Sequence, residues 1–256
     1  MSPSWRDGVE VFVGARELRL VVTPRGWRAR APWRIVREMQ DPAADLAAAL
    51  TESARRGCDV HIALSNLYVR YAIVSDAGML KGSAEREAAG RQALRSVYGE
   101  AADGWRIQMD AESVGTALVA GTAQSLIDGL RAACAGVGAS RVRIEPLLSC
   151  ALNGALPALD DGAGWFGVLE GDRLVLATLD DSGVRAVRSQ RIRHDADREI
   201  AALLQRARLL DADGSGRSTL VLASEQAGTQ TQTLMLPHES DLQVRAVPLV
   251  GTLENT

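Results

Sequence analysis

Lysine is almost missing from this 256-residue chain: Lys81 is one of 29 cationic residues, and the other 28 are arginines. With 40 alanines alongside, the bias reflects a GC-rich coding sequence more than a chemical need. It still excludes one chemistry. A phosphate-binding P-loop requires Gly-Lys-Ser/Thr, whereas Lys81 stands between Leu80 and Gly82. Cysteine and histidine are equally scarce, with three of each. Cys58, Cys134 and Cys150 are widely spaced in apolar or helical contexts, so buried free thiols in a reducing compartment are expected. There is no C-x-x-C pair, and His61, His194 and His238 stand apart, so no metal centre is expected. Long apolar runs are missing too. Nothing approaches the ~18 residues of a membrane span, and the opening MSPSWRD lacks the apolar segment of a secretory signal. A net charge of −3 argues against a general nucleic-acid binder. These absences together predict a cytoplasmic chain.

What is present is a folded composition, 46% hydrophobic and 24% charged, long enough for one large domain or two lobes. Apolar alternation predicts strands over 9–13, 18–23 and 27–31, with turns at Gly14 to Glu17 and Pro24 to Gly26. Asp41 with Pro42 behind it predicts a helix start, Leu46, Leu50 and Ala54 share one face, and 59–64 returns as a strand. The same order recurs from Trp165: strands over 165–170, 173–179 and 184–192, a helix capped by Asp195, then strands over 219–223 and 242–250. A doubled βββαβ unit in an α/β chain predicts two ribonuclease-H-like lobes facing each other, the architecture of actin and the sugar kinases. The first lobe is predicted over 1–157 and the second over 165–256, joined at the Asp- and Gly-rich stretch 157–164. Between the passes lie further predicted elements: strands over 68–74, 105–109 and 116–120, and helices over 83–98 (capped by Ser83), 124–137 and 147–156.

The block order VEVFVGARELRLVV, HIALSNLYVRYAIV, WRIQM and GTALVAGTAQSLIDGLRAACAGVGASRVRIEPLLSCALN, over residues 9 to about 250, resembles PilM of type IV pili. It is also similar to the cytoplasmic actin-like domain of GspL in type II secretion. The resemblance implies an actin-like fold, a small subdomain inserted in the first lobe at about 66–112, and a scaffolding role at the cytoplasmic face of an inner-membrane assembly machine. It also implies partners: the cytoplasmic tail of a bitopic membrane protein, the machine's motor ATPase, and a second copy of the chain. PilM-like proteins are described as binding ATP, and the GspL-like domain does without it.

Actin-fold ATPases hold phosphates on two hairpin turns, with an aspartate ending the first strand of each lobe and small residues admitting the phosphate. Here the first aspartate place holds Phe12 or Val13, and the turn around Gly14 and Arg16 adds Glu17, which would repel phosphate. The second holds Leu169, with the turn Glu170-Gly171-Asp172 ahead of Arg173. Gly14, Arg16, Gly171 and Arg173 are therefore read as vestigial phosphate turns, and a non-catalytic pseudo-ATPase without cofactor is expected. The alternative is an ATP-binding ATPase or switch of the same fold.

Other catalytic readings are weaker. Glu10 and Asp59 would have to serve a two-metal centre from strand ends, where solvated charges are ordinary. Ser65-Asn66 reads as a side-chain-capped turn, His61 as a satisfied strand histidine, and no Gly-x-Ser-x-Gly elbow occurs. For a partner, the resemblance points to a groove at the inserted subdomain. Tyr68, Arg70 and Tyr71 on its first strand would meet an extended peptide there. Trp5, Trp27 and Trp33 among arginines form a second, N-terminal candidate surface.

Overall fold

A computed structural model describes residues 7–24, 31–53, 56–110, 115–156, 159, 163–180, 183–193, 195–210, 219–224, 231–234 and 242–249. The first lobe opens with an antiparallel meander, β1 (Gly8–Val13), β2 (Glu17–Thr23) and β3 (Trp33–Glu38). Helix α1 (Pro42–Ser53) follows, and β4 (Asp59–Leu64) then returns parallel to β1. Asp41 accepts from the amides of Ala43 at 2.9 Å and Ala44 at 3.2 Å, as a capping aspartate should. The described strand Trp33–Glu38 pairs with β2 in register from Trp33↔Val22 to Glu38↔Glu17, and the strand predicted over 27–31 falls, but for its last residue, outside the described residues. Residues 25–30 lie outside the described residues, and with them most of the Trp/Arg surface.

Helix α3 (Gln124–Gly136) packs on α1, and β8 (Arg141–Pro146) adds parallel to β4, giving the sheet order β3-β2-β1-β4-β8. The second lobe repeats that order with β9 (Ala163–Glu170), β10 (Arg173–Asp180), β11 (Gly183–Arg191), α5 (Ala196–Leu210), β12 (Thr219–Ser224) and β14 (Leu242–Pro248). Its sheet reads β11-β10-β9-β12-β14-β13, with β13 (Thr231–Leu234) closing the far edge. The doubled unit predicted from patterning is thus present in both sheets.

Between β4 and α3 the chain builds the insert: β5 (Arg70–Val74), α2 (Ser83–Tyr98), β6 (Trp105–Met109) and β7 (Ala117–Ala123), in the sheet order β5-β7-β6. Its sheet takes in β7, beyond residue 112. Ser83 is the first residue of α2 and does not cap it; the Glu85 carboxylate instead accepts from the Lys81 amide at 2.6 Å. Gly121 is required where β7 passes under the helix, because a Cβ there would lie 2.7 Å from Leu94 Cδ1 and 2.8 Å from Trp105 Cε3.

Helix α4 (Leu147–Ala155) leaves the first lobe and packs against β4, β9 and β12. Its residues Leu147, Leu148 and Ala151 join one continuous buried cluster with Val13, Leu20 and Ile62 of the first lobe and Phe166, Val175 and Val221 of the second. A separate cluster under α5 holds Leu174, Leu176, Leu204 and Leu220. Among the described residues no helix is long and apolar enough to cross a membrane.

Candidate functional site

The two turns singled out in the sequence, β1–β2 and β9–β10, each carry internal contacts. In the β1–β2 turn, Phe12 and Val13 are buried at 1% and 0% exposure, so neither place offers a carboxylate. The Gly14 amide donates to the Glu17 carbonyl at 2.9 Å. A Cβ on Gly14 would lie 2.9 Å from the Phe12 ring and 3.0 Å from that carbonyl, so the glycine serves close packing. Glu17 is paired with Arg19, whose guanidinium lies 5.4 Å from the Phe12 ring centre, while Arg16 is exposed. In the β9–β10 turn, Gly171 adopts φ +56° with open space around it, and Asp172 is held by Arg191 at 2.9 Å.

Glu170, which ends β9, is buried and crosses to the other lobe. Its carboxylate accepts from the Asn66 amide at 3.0 Å. The residues around Asn66 form the capped turn that the sequence predicts. Leu67 N donates to Ser65 Oγ and Tyr68 N to Ser65 O, each at 3.0 Å, and Ser65 N donates to Val13 O at 2.9 Å. The turn is therefore tied at once to the end of β1 and to the end of β9. Tyr71 adds a second tie within the first lobe: its hydroxyl donates to Asn66 Oδ1 at 2.7 Å, and Tyr98 OH donates to the Tyr71 carbonyl at 3.2 Å. Burial first, with Glu170 contributing, lifts the Tyr71 phenol well above its ordinary range.

The three residues named for a partner surface consequently part company. Tyr71 is buried. Tyr68 is half-buried, with its phenol raised first by burial and then by Glu170. Arg70 is also half-buried and donates from Nη1 to the carbonyls of Leu67 and Val69, each at 3.0 Å. Arg70 and Tyr71 are neighbours on β5 and point to opposite faces, whereas Tyr68 lies in the turn ahead of the strand, which begins at Arg70 and not at the predicted 68. Arg173, at the start of β10, reaches Ser189 Oγ at 3.3 Å.

A second cluster went unread in the sequence. His61 Nε2 lies 2.7 Å from Glu145 Oε2, and Cys150 Sγ is 4.0 Å from that nitrogen and 3.9 Å from that oxygen. Burial, then Glu145, pushes the Cys150 thiol up to about 12. His61 thus has the satisfying partner expected of a strand histidine. The signal for it was the parallel β4–β8 pairing, which sets His61 opposite Arg143 and brings Glu145 to the same side two residues on. Among the described residues, this trio is the one His/Cys/Asp/Glu group close enough to share a metal.

No protein-family model matches the chain, and no curated protein sequence does. Solved structures do match over most of its length. The cytoplasmic domain of EpsL, an inner-membrane component of the type II secretion system of Vibrio cholerae, aligns with a TM-score of 0.56 at 12% identity, covering 96% of this chain and 92% of that one. The PilM–PilN type IV pilus biogenesis complex gives 0.58 at 18% identity, covering 86% and 82%. A Bacteroides thetaiotaomicron protein with an actin-like ATPase fold gives 0.59 at 9% identity, covering 89% and 84%. At these identities the likeness is one of fold, and the repeated sheet order agrees with it: the chain has the two-lobed, ribonuclease-H-type actin-like fold, and its structural relatives include the cytoplasmic domain of EpsL and PilM.

Proposed function

We propose that this chain is a non-catalytic scaffold of an inner-membrane assembly complex of the type IV pilus or type II secretion kind. It would work at the cytoplasmic face, held there by the tail of a bitopic membrane protein and able to contact a motor ATPase or a second copy. The observation that carries the reading is the use made of the cleft. Neither phosphate turn ends its strand on an aspartate; of the two acids at the second turn, Glu170 accepts from Asn66 of the opposite lobe and Asp172 pairs with Arg191. A magnesium nucleotide needs carboxylates and open backbone N–H groups at that place. The assembly side of the reading is supported by the likeness to the EpsL cytoplasmic domain and to PilM in its complex with PilN. For the partner, β5 is an edge of its three-stranded sheet, and an extended segment adds to such an edge through backbone hydrogen bonds.

Two measurements test the two halves. Calorimetry with Mg-ATP should register no binding in the micromolar range, and clear micromolar affinity would replace the scaffold reading with an ATP-dependent switch. Pull-down against candidate membrane-protein tails should succeed with the parent chain and fail with Tyr68→Ala/Arg70→Glu. A folded double variant that binds as the parent does would remove the β5 side from the partner surface.

A further inference from the structure

We propose that the seam between the insert and the second lobe is a binding site for a small oxyanion, a molecule carrying a phosphate or carboxylate group. A cavity of about 240 Å³ opens there, with Asn66, Arg70 and Tyr98 on the first-lobe side and Arg173, Val175 and Ser189 on the other. The second-lobe wall follows from register. Val175 sits opposite Ser189 across the β10–β11 pair, so Arg173, Val175 and Ser189 share the face turned to the insert. Leu174 and Leu176 face the other way, into the cluster under α5.

The charge in this cavity is unbalanced. Among the described residues, two guanidinium groups line it and no aspartate or glutamate does. Arg70 is fixed by the carbonyls of Leu67 and Val69, which orient the group without neutralising it. Arg173 has the Ser189 hydroxyl as its side-chain contact at 3.3 Å, and its Nε is shut away from solvent with no acceptor. Among the described residues neither arginine is paired with a carboxylate. The two acids of the adjoining β9–β10 turn have other partners, the Asn66 amide for Glu170 and Arg191 for Asp172. Asn66 contributes a further donor, since its Nδ2 is buried without a partner. Partly buried cations without a counter-charge are rare because desolvation penalises them. Two of them across one cavity, with unused N–H groups beside them, form a donor set suited to an oxyanion: guanidinium forks take carboxylate or phosphate in two parallel hydrogen bonds. The volume is below the ~300–1,000 Å³ of ordinary ligand pockets, so the site suits phosphate, pyrophosphate or a small dicarboxylate better than a nucleotide. An anion held by both arginines would tie the insert to the second lobe.

The test uses the full chain alone, so its outcome is separate from any partner or nucleotide result. Thermal unfolding and calorimetry are run at constant ionic strength with phosphate, pyrophosphate, succinate or chloride. Phosphate or pyrophosphate on one side, or succinate on the other, should raise Tm by several degrees at ~10 mM and keep raising it with the logarithm of concentration, while chloride does not. Arg173→Gln should weaken that binding at least about tenfold, the loss expected for a charged hydrogen-bonding partner. Ser189→Asp supplies a carboxylate beside Arg173. It should raise Tm without ligand and abolish the response, and it decides the matter if Arg173→Gln does not fold. The proposal fails if no anion exceeds the chloride control, or if folded Ser189→Asp responds as the parent does.

Discussion

Glu170→Ala isolates the tie between the lobes. The substitution removes the acceptor of the Asn66 amide, a 3.0 Å bond to a buried carboxylate. A hydrogen bond to a charged group contributes ~1.5–3 kcal/mol. For a chain of this size that loss corresponds to a fall in Tm of about 3–12 °C. Glu170→Gln keeps an acceptor oxygen without the charge and should lose about 1 kcal/mol or less. Tyr71→Phe attacks the same residue from the other side, leaving Asn66 Oδ1 without its 2.7 Å donor at a cost of ~1–3 kcal/mol. Because both changes act through Asn66, the double variant should depart from the sum of the singles by at least ~0.5 kcal/mol. Urea unfolding followed by calorimetry reads all four chains. Glu170→Ala within about 0.5 kcal/mol of the parent would refute the tie.

Gly121→Ala should destabilise by ~1–3 kcal/mol, because its methyl would enter the space of Leu94 and Trp105. Gly136→Ala, with nothing within 4 Å, should instead be neutral or gain up to ~1 kcal/mol; equal urea midpoints for the pair would contradict the packing of β7. The thiols set an alkaline limit. Burial pushes Cys134 up to about 11 and Cys150 to about 12 from an ordinary 9.0, so the native state keeps protons that the unfolded chain releases. Their contribution is fully present below pH ~9 and is lost as pH rises toward those raised values, so the urea midpoint should fall between about pH 8 and about pH 10.5. Rapid labelling of all three thiols in the native protein, or a midpoint unchanged over that interval, would show that they are not buried as described.

How much of this was legible depended on whether the signal was local. Asp41-Pro42 marks the start of α1 because a capping side chain and a fixed φ act within one turn, and the Asp195 carboxylate likewise accepts from the Arg198 amide at 3.1 Å. The strand Trp33–Glu38, which the sequence reading did not mark, shows the limit: its place is given by the pairing with β2, which local pattern does not contain. The end of β7 was hidden similarly: Ala-Gly-Thr-Ala has little strand preference, and Gly121 is held extended by contacts with Leu94 and Trp105 far along the chain. The site divides in the same way. Missing carboxylates at Phe12, Val13 and Leu169 could be read residue by residue, whereas the Asn66–Glu170 bond spans 104 positions and the His61–Glu145 pair 84. Arg70 and Arg173 were both named from the sequence, but for separate reasons; the fold sets them on one cavity.

The continuous buried cluster through α4 has a consequence for how the halves live apart. Phe166, Val175 and Val221 on one side and Val13, Ile62 and Leu148 on the other complete a single interior. Each half made alone would therefore present a sticky apolar surface to water, at ~25 cal/mol for every Å² uncovered. A chain cut between Ala155 and Gly164 should stay together as a nicked whole. Separately expressed pieces should be insoluble singly and soluble when produced together, so the molecule lends itself to a split reporter of its own assembly.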